Sequence, residues 1–181
     1  MNFLLLDGSP IAGGAFGAWL DDLEPALRSL GHGVRRIALR DRRIAQCRGC
    51  FACWVKTPGI CAIRDDMPDV LRAVLAADVL TLASPVTMGF TSALLKRAHE
   101  RMLPQLHPYL RLVGGEIRHR LRYTRYPRLA LILGAEGCDE EDHAIVEAIY
   151  REIAKETHGT LALAASTANA PEEVAHALAG A

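Results

Sequence analysis

The chain has 181 residues, 50% of them hydrophobic, and its 21 basic and 21 acidic side chains cancel to a formal net charge of zero. That length is most simply one domain, residues 1–181, large enough to bury a substantial core. An even charge balance argues against nucleic acid as a partner. No apolar run approaches the ~20 residues that a membrane span needs, so no membrane association is expected.

The apolar run at the N-terminus has no basic region before it and stops at Asp7, so it does not read as a signal peptide. The five cysteines are therefore expected in a reducing cytoplasm. Clustered thiols there point to metal or redox chemistry rather than to a disulfide framework.

In chain order, Asn2 to Asp7 reads as a strand buried on both faces, as in a parallel sheet. A glycine-rich turn follows, and then Phe16, Leu20, Leu23, Leu27 and Leu30 recur at helical spacing. Such a loop aims bare N–H groups and the positive end of a helix at whatever lies above the strand. An anion-binding loop and an ordinary βα turn both fit, because the stretch is neither a G-x-G-x-x-G nor a Walker loop. Pro25 falls inside the helical pattern, which predicts a kink there or a fresh start near Asp21 and Asp22. Gly31-His32-Gly33 closes the helix, and Val34 to Leu39 reads as strand two.

The segment from Cys47 to Cys61 shows no clear periodicity. Asp65-Asp66-Met67-Pro68 opens a short helix with an acidic cap and a proline in the first turn. Ala77 to Ala83 is strand three, running into the loop Ser84 to Phe90. Thr91 or Ser92 then caps a helix to about Met102.

Residues Leu106 to Pro127 do not fit a βα repeat, and within them a hairpin is expected around residues 109–121. Two strand-like runs flank Gly114-Gly115, a pair suited to a tight hairpin turn. Arg128 to Leu133 is strand four, Gly134 to Cys138 a third loop, and a helix from about Glu140 to Glu156 follows behind acidic capping residues. Thr160 to Ala165 is strand five, and Pro171 starts a last helix. Right-handed crossovers then give a doubly wound α/β fold with a five-stranded parallel sheet and a β-hairpin insertion, for which the order 2-1-3-4-5 is adopted. Ligands of such sheets bind beyond the carboxyl ends of the strands, at the switch point between strands one and three.

The sharpest spacing is C-x2-C-x2-C-x7-C, formed by Cys47, Cys50, Cys53 and Cys61. Closely spaced thiolates can wrap one face of a 4Fe–4S cluster while a fourth closes it. Four-cysteine zinc sites usually draw on two separated pairs, which this is not. Cluster ligands and plain loop thiols both remain open. Cys138 reads as a bystander. The seven histidines show no ligand spacing, and His99 reads as structural. His119, Arg122 and Tyr123 mark a basic hairpin that suits either a cofactor phosphate or a solvated or intersubunit face. No triad, paired carboxylates or G-x-S-x-G elbow is present.

Three groups of residues carry a resemblance. They are Gly8-Ser9-Pro10, then Ser84-Pro85-Val86 with Met88-Gly89, then Ser92-x-x-Leu95-Lys96 with Arg101. Together they resemble the NADPH-dependent FMN reductase branch of the flavodoxin-like superfamily. The cysteine run with Asp65-Asp66-Met67 is similar to that of its iron–sulfur flavoprotein members.

The resemblance implies that Ser9, Pro10, Ile11, Gly13, Gly14, Ala15 and Phe16 hold the FMN phosphate. Pro85, Val86, Thr87, Met88, Gly89 and Phe90 would lie along the flavin ring, and Gly134, Ala135 and Glu136 would close its far side. It implies NAD(P)H as co-substrate, hydride transfer to FMN, and electrons passing to a small-molecule or carrier acceptor, with a 4Fe–4S cluster as a further relay. Subunits of the family pair across the flavin, so a homodimer or higher homo-oligomer is expected.

The family's usual arginine after Ser-Pro is Ile11 here, and no hydroxyl or amide stands at Gly14 or Ala15. Phosphate binding would rest on backbone donors, the helix end and Ser9, without the stronger charge-assisted bond. Since the cofactor carries the chemistry, no catalytic acid or base is assigned. The alternatives are a non-enzymatic flavodoxin-like carrier, disfavoured by the zero net charge, and a flavin-free scaffold of the same fold.

Overall fold

A computed structural model describes residues 1–180. Its centre is a parallel five-stranded sheet built from β1 (Asn2–Asp7), β2 (Gly33–Ala38), β3 (Val79–Ser84), β8 (Arg128–Leu133) and β9 (Leu161–Ser166). The strands lie in the order β2-β1-β3-β8-β9, which is the order expected, with the hairpin inserted before β8. Two short strand pairs complete the β structure: β4 (Val86–Thr87) with β5 (Phe90–Thr91), and β6 (Leu106–Val113) with β7 (Glu116–Leu121).

Each central strand is apolar on both faces because helices cover both. Phe3 and Leu5 of β1 face α1 (Gly14–Ser29) and α6 (Pro171–Gly180), with Trp19, Leu20, Leu23, Leu27 and Leu178. Leu4 and Leu6 face the other way, into a core with Met67, Val70, Leu95, Val146 and Tyr150. Those residues come from α3 (Met67–Ala76), α4 (Ala93–Glu100) and α5 (Glu140–Glu156). α2 (Ala52–Val55) is a single turn inside the cysteine segment.

Several local expectations are corrected. α1 is one continuous helix through Pro25 and does not restart at Asp21. Pro25 is exposed, so the carbonyl it leaves unbonded is within reach of water, while Leu23 and Leu27 anchor the turns on either side. Ser92 is the cap of α4, accepting from the Leu95 N–H at 3.2 Å, but the helix ends at Glu100 rather than Met102. Asp66 stands at the cap of α3 without a side-chain capping bond. Asp139 and Asp142 form a reciprocal capping box on α5.

The hairpin turn is as read: Gly114 and Gly115 have φ of 57° and 86°, which its two-residue connection between Val113 and Glu116 requires. β6 begins at Leu106, three residues before the expected start. The hairpin leaves the C-terminal end of α4 and returns to the start of β8. Both its roots therefore sit at the amino edge of the sheet, opposite the edge where β1, β3 and β8 end.

Candidate functional site

Loops after β1, β3 and β8 meet at the carboxyl edge of the sheet, and backbone bonds stitch them together. The Gly8 N–H donates to the Ala83 carbonyl at 2.7 Å, and the Gly134 N–H donates to the Ser84 carbonyl at 2.9 Å. Ser92 Oγ donates to the Gly8 carbonyl at 2.5 Å. Ser84 Oγ accepts from the Ser92 N–H at 2.8 Å and donates to the Pro85 carbonyl at 2.8 Å.

Contacts across the junction leave no room for side chains. A Cβ on Gly8 would lie 2.9 Å from both Leu95 Cβ and Ser92 Oγ, and one on Gly134 would lie 3.1 Å from Pro85 Cα and 3.2 Å from the Phe16 ring. These glycines are therefore demanded by close approach, a signal that sequence alone gave only as turn composition.

The opposite condition holds at Gly13 and Gly14. A Cβ on either would meet nothing within 4 Å, yet their φ values are 78° and 74°. Gly13 caps α1 with ψ of −152°, in a region that side chains avoid. The result is bare, open backbone at the start of a helix of 16 residues. That is a cradle suited to an anion, since unpaired N–H groups and the helix dipole favour negative charge there. Ile11 and Met88 stand exposed at the rim, 71% and 101% accessible. Met88 and Gly89 form the positive-φ turn between β4 and β5, an element not foreseen.

Of the residues expected at the cofactor, Pro10, Ile11, Gly13, Gly14 and Ala15 are exposed in the first loop, and Phe16 is half-buried against Gly134. Ser9 is buried, and its hydroxyl donates to the Ile11 carbonyl at 2.8 Å, so it shapes the loop from beneath. In the second loop Thr87 and Met88 are exposed, Pro85, Gly89 and Phe90 are half-buried, and Val86 is buried. In the third, Gly134 is buried and Glu136 exposed, while the Ala135 N–H donates to Thr167 Oγ1 at 2.9 Å.

Sequence reasoning missed that partner, and also the charge network under the first loop. Asp7, fully buried, accepts from Arg36 at 2.9 and 3.1 Å, from Arg40 at 2.8 Å and from the Ser9 N–H at 2.8 Å. Only the parallel pairing of β1 with β2 brings those arginines beneath the loop.

Cys138 Sγ lies 3.0 Å from His143 Nε2, and both reach the Gly134 carbonyl. Burial, with Asp142 and Asp139, pushes the Cys138 thiol up. A nucleophilic thiolate needs the reverse shift, so the pair reads as structural.

The cysteine segment is a closed excursion with a buried clasp. Arg101, 1% exposed, grips both Asp65 oxygens at 2.7 and 3.0 Å and donates to the Ala45 carbonyl at 2.7 Å. Asp65 accepts in addition from the N–H groups of Ala45 and Met67, at 2.9 and 3.1 Å. Burial works against the charged carboxylate, but Arg101 and these N–H groups hold its pKa below the usual range. Residues on both sides of the cysteine run, Ala45 and Asp65, are thus tied by one guanidinium. The sequence places Asp65 only in the acidic start of the following helix.

Inside the excursion, Cys53 is buried, Cys47 and Cys61 are intermediate and Cys50 is exposed. Burial pushes the Cys53 thiol up, and the charges of Cys61, Cys47 and Cys50 add to the rise. Arg101 Nε is buried without a hydrogen-bond partner. Burial lowers the Arg101 pKa, but Asp65 and Cys61 more than offset it and keep the guanidinium charged. No group of three or more potential ligands has the spacing of a single-ion site among the described residues.

The basic hairpin does not reach the crevice. Arg118 is bonded to Glu116, Glu152 and Glu156. Arg122 donates to the carbonyls of Pro104 and Leu106 at 2.9 and 3.1 Å.

A doubly wound sheet with this crevice defines a flavodoxin-like α/β protein. The model of the family described as NADPH-dependent FMN reductase matches residues 1–122, and the chain belongs to that family. The match takes in the first two loops and the cysteine segment, while the third loop lies beyond it.

An iron–sulfur flavoprotein of Archaeoglobus fulgidus is 37% identical over 112 residues, 61% of this chain and 50% of that protein. Another, from Methanocaldococcus jannaschii, is 33% identical over 104 residues, 58% of this chain and 53% of that protein. The chain spans about half the length of these curated relatives.

Among solved structures, an FMN-dependent NADH-azoreductase of Bacillus anthracis in complex with FMN aligns with a TM-score of 0.63 at 11% identity, covering 97% of this chain and 92% of that one. An NAD(P)H:quinone oxidoreductase of Methanothermobacter marburgensis gives 0.63 at 16% identity, covering 92% and 84%. At such identities these two show the fold alone.

Proposed function

We propose that this protein is an oxidoreductase that binds FMN in the crevice and takes reducing equivalents from NAD(P)H to an acceptor. The observation that carries this reading is the open backbone cradle at Gly13 and Gly14, set between loops that meet at the switch point of the sheet. When bound, FMN would supply the hydride-accepting chemistry. The chain's part is to hold and orient. Backbone N–H groups at Gly13 and Gly14 and the start of α1 would take the phosphate. Main-chain groups of Pro85 to Phe90 would face the ring, and Gly134 to Glu136 would close the far side.

Cys47, Cys50, Cys53 and Cys61 have the sequence spacing of 4Fe–4S ligands, and such a cluster would supply single-electron transfer. The names of the curated relatives support this. So does the orphaned Nε–H of Arg101, a charge-assisted donor beside Cys61 of the kind that ligand thiolates use.

A cytoplasmic setting agrees with the thiol content, and no helix among the described residues is long and apolar enough to cross a membrane. Pairing of subunits is supported by exposed apolar side chains on the hairpin, Tyr109, Leu110, Leu112 and Ile117.

The test is the visible spectrum of protein purified without oxygen, followed by FMN titration and anaerobic NADPH consumption. Flavin absorbance with NADPH turnover supports the reading, and a brown shoulder bleached by dithionite supports the cluster. Colourless protein that also fails to bind added FMN would overturn both. Bound FMN without NADPH oxidation would make it a carrier.

A further inference from the structure

Beneath the hairpin lies a cavity of about 400 Å³, and none of its lining residues belongs to the three loops of the crevice. Leu80 and Leu82 of β3 and Leu129 of β8 line it, with Met102 just beyond α4 and Ile153 of α5. Polar groups at its edge are mostly engaged. Glu100 pairs with Lys96 at 2.6 Å, Glu156 with Arg118 at 2.9 Å, and Tyr126 donates to the Gln105 carbonyl.

His99 and His119 are the exceptions. Both line the cavity, and Nδ1 of each is buried without a hydrogen-bond partner among the described residues. The His99 ring lies 5.9 Å from that of Tyr150. Burial, and then Lys96, pull its pKa down, which favours the uncharged ring. The His119 ring lies 5.0 Å from Trp54, which stacks at 5.3 Å on Phe51 of the cysteine segment.

A buried polar atom left unpaired costs about 1–3 kcal/mol. Two such imidazoles on one apolar cavity are the arrangement of a pocket whose occupant supplies the missing polar contact. The volume is within the range of small-molecule pockets. Leucine and methionine walls suit a flat hydrocarbon ring, and with the nearby carboxylates already paired, a charged ligand would lose its hydration without a counter-charge. A neutral imidazole offers one donor and one acceptor, which matches a hydroxyl that also does both.

We propose that this cavity is a second binding site, separate from the crevice, for a small flat aromatic molecule carrying a hydroxyl group held by His99 and His119. Binding there requires neither flavin nor cluster, so it stands or falls independently of the function proposed above.

Calorimetric titration with β-naphthol and with naphthalene tests it. The phenol should bind about tenfold more tightly than the hydrocarbon, the worth of one net hydrogen bond. In a Trp19→Phe background it should also change Trp54 fluorescence, since the chain has two tryptophans. His99→Leu and His119→Leu should each erase most of the preference without lowering the melting temperature, because each removes an unpaired buried atom. His99→Gln and His119→Gln, which keep a polar tip, should restore part of it and serve alone if the leucine variants fail to fold. Failure of wild-type protein to bind either ligand, equal affinity for the two, or a preference unmoved in every folded variant would overturn the proposal.

Discussion

The crevice and the cysteine segment are both loops on one sheet, but they are held in opposite ways. Main-chain bonds and glycine contacts fix the crevice, so its shape follows from the register of β1, β3 and β8. A buried ion pair, Arg101 with Asp65, clasps the two ends of the segment. A backbone-built site tolerates many side chains but not an added Cβ. A site hung on an ion pair tolerates most changes except those to the pair.

The sharpest way to break this contrast is Asp65→Ala. It leaves the Arg101 guanidinium buried and uncompensated, which should destabilise the fold by about 3–5 kcal/mol in urea titration. Proteolysis should then open the cysteine segment first, and a loss spread evenly over the molecule would refute the clasp.

Acid should probe the same pair. Asp65 has a folded pKa below its ordinary value of 3.8. Its contribution is therefore fully present above that value and is lost as pH falls through the folded one. Asp65→Asn should flatten this acid limb of the stability curve, as followed by thermal melts between neutral pH and strong acid.

Gly8→Ala should cost less, about 1–3 kcal/mol from overpacking against its neighbours Leu95 and Ser92, and should weaken FMN binding by spreading the loops. Gly13→Ala meets no neighbour but forces a backbone that side chains avoid, again of order 1–3 kcal/mol, with its loss concentrated in phosphate affinity. FMN and riboflavin titrations separate the two effects, because riboflavin lacks the phosphate.

Ile11→Arg sharpens the comparison from the other side. Adding a charge at the exposed rim should tighten FMN by about tenfold and leave riboflavin unchanged, if the backbone cradle is where the phosphate sits. The smallest effect is expected from Lys96→Ala, which removes an exposed i,i+4 pair with Glu100 and should change stability by only ~0.3–0.5 kcal/mol.

The sheet order, the hairpin and the three loops were legible because each rests on local pattern. Strand one ends where Asp7 interrupts an apolar run, and Gly114-Gly115 can hardly be anything but a turn. Arg101 and Asp65 were visible as letters in separate motifs, yet nothing local says that they meet across 36 positions. The same holds for Thr167 beneath Ala135 and for Arg36 beneath Asp7. Whether α1 runs through Pro25 or restarts near Asp21 was left open by the sequence, because burial on the opposite face decides it against a local penalty.

By itself the sequence determined which residues could form strands, turns and a thiol cluster, since propensity and hydrophobic period act over a few residues. Only the tertiary structure decided which glycines are crowded and which are open, that the basic hairpin stands at the far edge from the crevice, and that two histidines share an apolar cavity. Those facts depend on contacts between residues distant in the chain, and their energies exist only once the sheet has brought them together.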